Sequence, residues 1–216
     1  GKENGIYHKL IKEKLPPTGK RIAIVGAGPA GLTAAFYLVR LGHDITVYEA
    51  LSEAGGVARF GIPHYRLPKE VLRKEARLIK KLGVKFKFNQ RLGDNLSLEE
   101  LKNEFDVIYL AIGAWKNIDL KIPGEDAKGV FAGTTILKEM AVGKTPKVGE
   151  RVAIVGAGNV AIDTARSLLR LGKDVTIVYR REKGDMPANA VEISESEEEK
   201  INYRFMASPN GNITDK

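Results

Sequence analysis

Two stretches of the chain carry apolar and polar positions in the same order. From Arg21 a β-branched run, RIAIV, leads into glycines, then into apolar positions at helical spacing (Leu32, Ala35, Phe36, Leu38, Val39), then into DITVYE. From Arg151 the order returns as RVAIV, glycines, the spaced apolar set Ile162, Ala165, Leu168 and Leu169, and DVTIVY. Unbroken apolar runs of strand length suit strands covered on both faces of a parallel sheet, and the three-four spacing suits a helix packed along one side. Gly42 and Gly172 stand where a helix stops. Each copy is expected to form a β-α-β unit with a right-handed crossover. The copies lie 130 residues apart, and about half the positions from Arg21 to Glu49 are identical to their partners. Two copies are too few for a solenoid, so the repeat predicts a pair of related ligand-binding folds.

Between the copies, LPKEVLRKEARLIKKLG predicts a helix whose apolar stripe is Val71, Leu72, Ala76, Ile79 and Leu82, and VKFKF alternates as a half-exposed strand does. Ser97 and Glu100 form an S-x-x-E capping box for the helix LEELKNEF. DVIYLAIG reads as another buried strand, ending in Gly113. The stretch from IPGEDAKGVFAGTT to GKTPKVGE reads as loops around one short helix, ILKEMA; after the second copy, VEISESEEEK predicts a charged helix and INYRFMA a strand.

The glycines carry the chemistry. In the first copy Gly26, Gly28 and Gly31 spell G-x-G-x-x-G directly after a strand and at the start of a helix. One glycine makes the tight turn, one lets backbone approach a pyrophosphate, and one lets helix pack closely on strand. The helix N-terminus adds unpaired N–H groups and a positive dipole end. Glu49 closes the second strand, where a carboxylate can accept hydrogen bonds from an adenosine ribose. The second copy has Gly156 and Gly158, with Ala161 in third place; the partner of Glu49 is Tyr179, followed by Arg180 and Arg181. A carboxylate repels a 2′-phosphate, whereas guanidinium groups bind one through charge-assisted hydrogen bonds. The first copy is therefore expected to take FAD or NAD, and the second NADP(H). The fold class expected is α/β, with two Rossmann-like dinucleotide-binding units on parallel sheets: a basic leader over 1–19, a first unit over 20–115, a connecting segment over 116–148 and a second, incomplete unit over 149–216.

Composition narrows the chemistry further. The sequence has 216 residues, 43% of them apolar, enough for a sizeable core. With no cysteine it offers no disulfide, thiolate metal site, iron-sulfur ligand or dithiol pair, so any electron transfer needs a bound cofactor. The scattered His8, His43 and His64 suggest no metal cluster, and Asp44 and Asp163 read as hydrogen-bonding rather than catalytic. A formal charge of +8 is spread along the chain without basic clusters or interleaved aromatic residues, which argues against a nucleic-acid partner. No apolar run reaches the length of a membrane span or a secretory signal, and the cytoplasm is the expected location.

The strings GAGPAGL, GGVARFGIPHYRLPKEVL, YLAIGAW, IPGE, GAGNVAIDTAR and YRR followed by MPA resemble, together and in this order, the small, beta-type chain of NADPH-dependent glutamate synthase. The flavin half of dihydropyrimidine dehydrogenase and subunits of ferredoxin:NADP oxidoreductases are related in the same way. The likeness runs from Thr18 through nearly the whole chain. It implies an FAD unit with an NADPH unit inserted in it, hydride passing from NADPH to FAD, and electrons leaving to a larger iron-sulfur subunit or a ferredoxin-like carrier. It also implies FAD contacts at Gly26, Gly28, Pro29, Ala30, Gly31, Glu49, Gly56, Val57, Arg66 and Leu92. NADPH contacts are implied at Ala157, Gly158, Asn159, Val160, Arg180 and Arg181. No residue is implied as an acid, base or metal ligand. Two departures stand out: there is no cysteine-rich segment before the flavin unit, and only about thirty-five residues follow the second copy, short of what a return to the flavin fold needs. A C-terminal part is thus expected to be missing, and the alternative reading is a non-catalytic nucleotide-binding or interaction module.

Overall fold

A computed structural model describes residues 14–117 and 119–211; most of the basic leader, with His8, lies outside them. The described residues fall into two compact units, one within Gly1–Arg59 and His64–Ala114, the other within Phe60–Pro63 and Trp115–Lys216.

The first unit is built on four parallel strands, β1 (Arg21–Val25), β2 (Asp44–Glu49), β3 (Lys85–Phe88) and β4 (Val107–Leu110), in the order β3-β2-β1-β4. Side chains alternate across a strand, and here both faces are used. Ile22, Ile24, Ile45 and Val47 bury one face beneath α1 (Pro29–Arg40) and α3 (Lys69–Lys81), against Ala35, Val39, Ile79 and Leu82. Ala23, Val25 and Tyr48 bury the other against Leu101 and Phe105 around α4 (Leu98–Glu104). Fully buried residues such as Ile24 and Ile45 each contribute roughly 1.5–3 kcal/mol over exposure. The capping box on α4 forms as expected: Ser97 Oγ accepts from Glu100 N at 3.1 Å and Glu100 Oε2 from Ser97 N at 2.8 Å. A short helix, α2 (Gly56–Phe60), follows the double glycine.

Two expectations about burial need correction here. β4 pairs with β1 but is the edge strand, with Val107 50% and Leu110 53% exposed, rather than a buried strand. An apolar run shows that a segment suits a strand; it carries no information on whether a neighbour covers it. Val71 is likewise exposed, so the stripe on α3 is narrower than its spacing suggested.

The second unit holds β5 (Arg151–Val155), β6 (Asp174–Val178) and β7 (Asn202–Arg204), parallel and in that order. Around them lie α5 (Gly133–Ala141), α6 (Asn159–Leu169) and α7 (Ala190–Glu198). Residues of the connecting segment pack here: Ile136 of α5 joins Ile162, Ala165, Leu168, Val175 and Ile177 in one core. Gly133 makes that approach possible, because a Cβ there would stand 3.0 Å from Thr164 Oγ1 and 3.1 Å from Val160 Cγ1.

A buried cation ties α6 to α7. Arg166, 2% exposed, pairs with Glu192, with Glu195 at 2.6 Å and with Glu199 at 2.7 Å, and Arg170 adds a second guanidinium on Glu199 at 2.6 Å. Burial pushes the Glu199 carboxyl up, but hydrogen bonds from Arg166 and Arg170 outweigh it and hold the group below its ordinary range. Among the described residues, no helix is long and apolar enough to cross a membrane.

Candidate functional site

Both copies place a glycine loop between the end of a strand and the start of a helix, with matching backbone bonds. Gly26 N donates to Tyr48 O at 2.7 Å and Leu32 N to Gly28 O at 2.9 Å; Gly156 N donates to Val178 O at 2.9 Å and Ile162 N to Gly158 O at 3.1 Å. Gly26 and Gly156 take the left-handed φ values +109° and +113°, which a side chain disfavours. α1 and α6 both begin at a glycine N-cap with no side-chain hydrogen bond and no acidic residue in the first turn. By contrast, Ser97 caps α4 and Asn189 caps α7 with their side chains. The first N–H groups of α1 and α6 are thus left to an external acceptor, the arrangement that suits an anion.

Around the first loop the packing is tight. A Cβ on Gly26 would stand 2.2 Å from Ala111 O, one on Gly31 1.9 Å from Gly26 O, and one on Gly56 2.7 Å from Gly28 Cα. Gly55 N donates to Ala27 O at 2.7 Å, so the double-glycine turn is joined to the loop by backbone. Glu49 is buried, 6% exposed, and each of its carboxylate oxygens already accepts one amide: Oε2 from Ala27 N and Oε1 from Leu51 N, both at 2.8 Å. Ionised carboxylate oxygens have two lone-pair sites apiece, so one site on each remains.

The structure therefore brings Gly26, Gly28, Gly31, Glu49 and Gly56 together. Pro29 and Ala30 lie exposed in the first turn of α1, and Val57 is exposed in α2. Arg66 is half-buried in the segment before α3. Leu92 packs against the satellite cluster of Tyr48, Leu96 and Leu101, so its surroundings are those of a core residue.

Around the second loop the surroundings are open. A Cβ on Gly156 or Gly158 would meet nothing within 4 Å. Ala157 is buried and Val160 exposed. Asn159 Oδ1 accepts from Asn189 N at 2.9 Å, fastening the start of α6 to the start of α7. Tyr179 is buried where Glu49 stands in the first copy, and its hydroxyl donates to Asp185 O at 2.8 Å, holding the turn Lys183–Asp185. Arg180 and Arg181 follow it into solvent, and neither guanidinium forms a hydrogen bond or ion pair among the described residues. Lys183, by contrast, is paired with Glu197 at 2.6 Å. A cavity of about 280 Å³ opens beside Arg180, lined by Val155, Gly156, Val178, Ala207 and Pro209 among others.

Sequence reasoning missed Glu53, which sits between Arg59 and Arg73 beside the double glycine. It also missed the hydroxyl anchor of Tyr179, because local patterns report no partner six residues away through a backbone carbonyl. Among the described residues no three histidine, aspartate or glutamate side chains gather as a metal site. His64 instead accepts from Lys69 N at the start of α3, and His43 shares a hydrogen bond with Thr18.

Comparison with known proteins gives the following. A model of the pyridine nucleotide-disulphide oxidoreductase family matches residues 20–216. The beta subunit of an NADP(+)-dependent formate dehydrogenase from Moorella thermoacetica is 40% identical over 203 residues, covering 92% of this chain and 29% of that protein. The small chain of glutamate synthase [NADPH] from Escherichia coli is 36% identical over 206 residues, covering 90% of this chain and 44% of that one. The solved structure of FprA from Mycobacterium tuberculosis in complex with NADPH superimposes with a TM-score of 0.72 at 26% identity, covering 85% of this chain and 48% of that one. The chain spans less than half the length of each of these three.

Proposed function

The chain belongs to the pyridine nucleotide-disulphide oxidoreductase family, and we propose that it works as an FAD- and NADPH-binding electron-transfer unit of the glutamate synthase small-chain type. The two units over 20–115 and 149–216, joined through 116–148, would hold FAD and NADP(H) respectively. The observation that carries the reading is the opposite charge at the ends of β2 and β6, each beside an uncapped glycine loop. A buried carboxylate stands at one, and at the other two guanidinium groups without a partner among the described residues.

The residues fit these ligands. In the first unit the glycines at 26, 31 and 56 let the loop backbone pack closely on itself, on Ala111 and on the double-glycine turn beside Gly28. Pro29 and Ala30 open the helix toward the pyrophosphate, and the remaining lone pairs of Glu49 suit two ribose hydroxyls. Val57, Arg66 and Leu92 complete the FAD contacts on the strength of the family likeness. In the second unit Ala157, Gly158, Asn159 and Val160 line the pyrophosphate, the cavity beside Arg180 takes the adenosine end, and Arg180 and Arg181 hold the 2′-phosphate. When bound, the flavin supplies two-electron acceptance from the nicotinamide and one-electron release. What the chain's own residues do is bind and orient; no side chain is assigned as an acid, base or metal ligand. With no cysteine in these 216 residues, the dithiol chemistry in the family's name has no donor here.

The formate dehydrogenase and glutamate synthase relatives are named as a subunit and a small chain. That supports a larger partner subunit; an iron-sulfur subunit or a ferredoxin-like carrier as its electron acceptor, in the cytoplasm, enters the proposal only through the family likeness. The test is nucleotide affinity. The double variant Arg180→Ala with Arg181→Ala should raise the Kd for NADPH about a hundredfold or more, since each hydrogen bond to a charged group contributes about 1.5 kcal/mol or more, and leave that for NADH nearly unchanged. Equal losses for both nucleotides would overturn the assignment.

A further inference from the structure

Resting on the reading that the first loop holds FAD, we infer that Glu53 is a positioning residue: clamped by Arg59 and Arg73, it sets the Gly55–Gly56 turn against the glycine loop. The geometry is a double fork. Arg59 reaches the carboxylate through Nε at 3.3 Å and Nη2 at 3.2 Å, and Arg73 through Nε at 3.0 Å and Nη2 at 3.3 Å. Surface ion pairs as a rule contribute little, because water screens them and two long side chains must be ordered. This pair differs from that rule on one side: the Arg59 side chain is only 8% exposed, and planar forks matched to a carboxylate lose less freedom for each bond made.

The double glycine lies between the two ends of the Glu53–Arg59 fork, so the fork closes the turn. Within it, Gly55 has φ +125° and Gly56 φ +54°, and Arg59 N donates to Gly55 O at 3.3 Å. One side of the turn is in contact with the glycine loop through Gly55 N to Ala27 O and the approach of Gly56 to Gly28. The other is crowded by Arg59 itself, whose Cβ would be 2.6 Å from a Cβ on Gly55. Arg73 then anchors the clamp to α3, a full helix of the unit, and also meets Glu70 at 3.5 Å. Hydrogen bonds from Arg73 and Arg59 also hold the pKa of the Glu53 carboxyl well below its ordinary range, at about 2. The glycines make close approach possible, and the clamp selects one position for them.

The test is binding of FAD to the purified, flavin-stripped protein, followed by quenching of flavin fluorescence, alongside NADPH affinity and the thermal midpoint without flavin. Glu53→Gln and Arg73→Gln should each raise the Kd for FAD about tenfold, and Arg73→Lys should recover part of that loss because it restores charge without the fork. NADPH affinity should stay near wild type, and the thermal midpoint should fall by no more than about 3 °C, as the loss of one partly screened ion pair would give. A Kd for FAD within about twofold of wild type in both Gln variants would overturn the inference, as an ordinary surface pair would give no more. So would a loss of FAD that is matched by equal losses in NADPH affinity and thermal midpoint, which marks general loosening. If the wild-type protein takes up no FAD at all, the proposed function itself falls and this inference with it. Should Glu53→Gln fail to fold, Arg73→Gln, at a half-buried position on α3, carries the decision.

Discussion

The two glycine loops use the same letters for different physical reasons. At Gly26 the left-handed turn coincides with the arrival of β4, and Gly31 and Gly56 are pressed against backbone, so each glycine is there because no side chain fits. At Gly156 only the backbone angle demands glycine; β5 is an edge strand, and the space around Gly156 and Gly158 is open. The charged ends differ in the same sense. Glu49 is buried and already bonded to the loop it serves, while Arg180 and Arg181 are exposed beyond a strand whose end is anchored by Tyr179. A repeat in sequence thus conserves the turn and the strand-to-helix geometry, while the neighbours decide how much each position matters.

That contrast can be broken by single substitutions, the largest effect first. Gly31→Ala should destabilise the first unit by about 3 kcal/mol or more, because the new methyl lands on a carbonyl oxygen that cannot move without opening the loop. Gly158→Ala, with an ordinary φ of −83° and free space, should change stability by less than about 0.5 kcal/mol. Hydrogen exchange, which resolves the two units separately, checks both; similar losses would erase the distinction drawn here. The second unit has its own sensitive point away from the loop. Arg166→Met should cost about 3 kcal/mol by leaving Glu192, Glu195 and Glu199 facing one another, read as faster exchange across α7.

Smaller effects sharpen the comparison. Tyr179→Phe removes one hydrogen bond to Asp185 O and should cost about 1 kcal/mol while loosening NADPH more than FAD, measured by titration of each nucleotide. The smallest is an acid effect on the first unit. Glu53 has its folded pKa lowered from 4.5 to about 2, so its contribution is present above the unfolded value and is lost as pH falls through the folded one. Between those limits the stability difference between wild type and Glu53→Gln should shrink with falling pH, as acid unfolding followed by circular dichroism would show.

Much of this was legible in sequence, for local reasons. The β-α-β units, the glycine turns and the box on α4 rest on spacings of a few residues, which periodicity and capping rules report directly. The clamp at Glu53 and the cluster at Arg166 were not, because Arg73, Glu192 and Glu199 lie far along the chain from the groups they meet and nothing in a charged residue's neighbourhood names its partner. Burial at β4 failed for a related reason: apolar pattern is a property of the segment, and cover is a property of what stands beside it. Glu49 was found, yet its bond to Ala27 was not, since it depends on the loop folding back across the strand end.

The open space around Gly156 and Gly158 has a practical consequence for redesign. Randomised libraries at 158 should retain far more folded members than libraries at 31, so a change of coenzyme preference is best sought through the second copy.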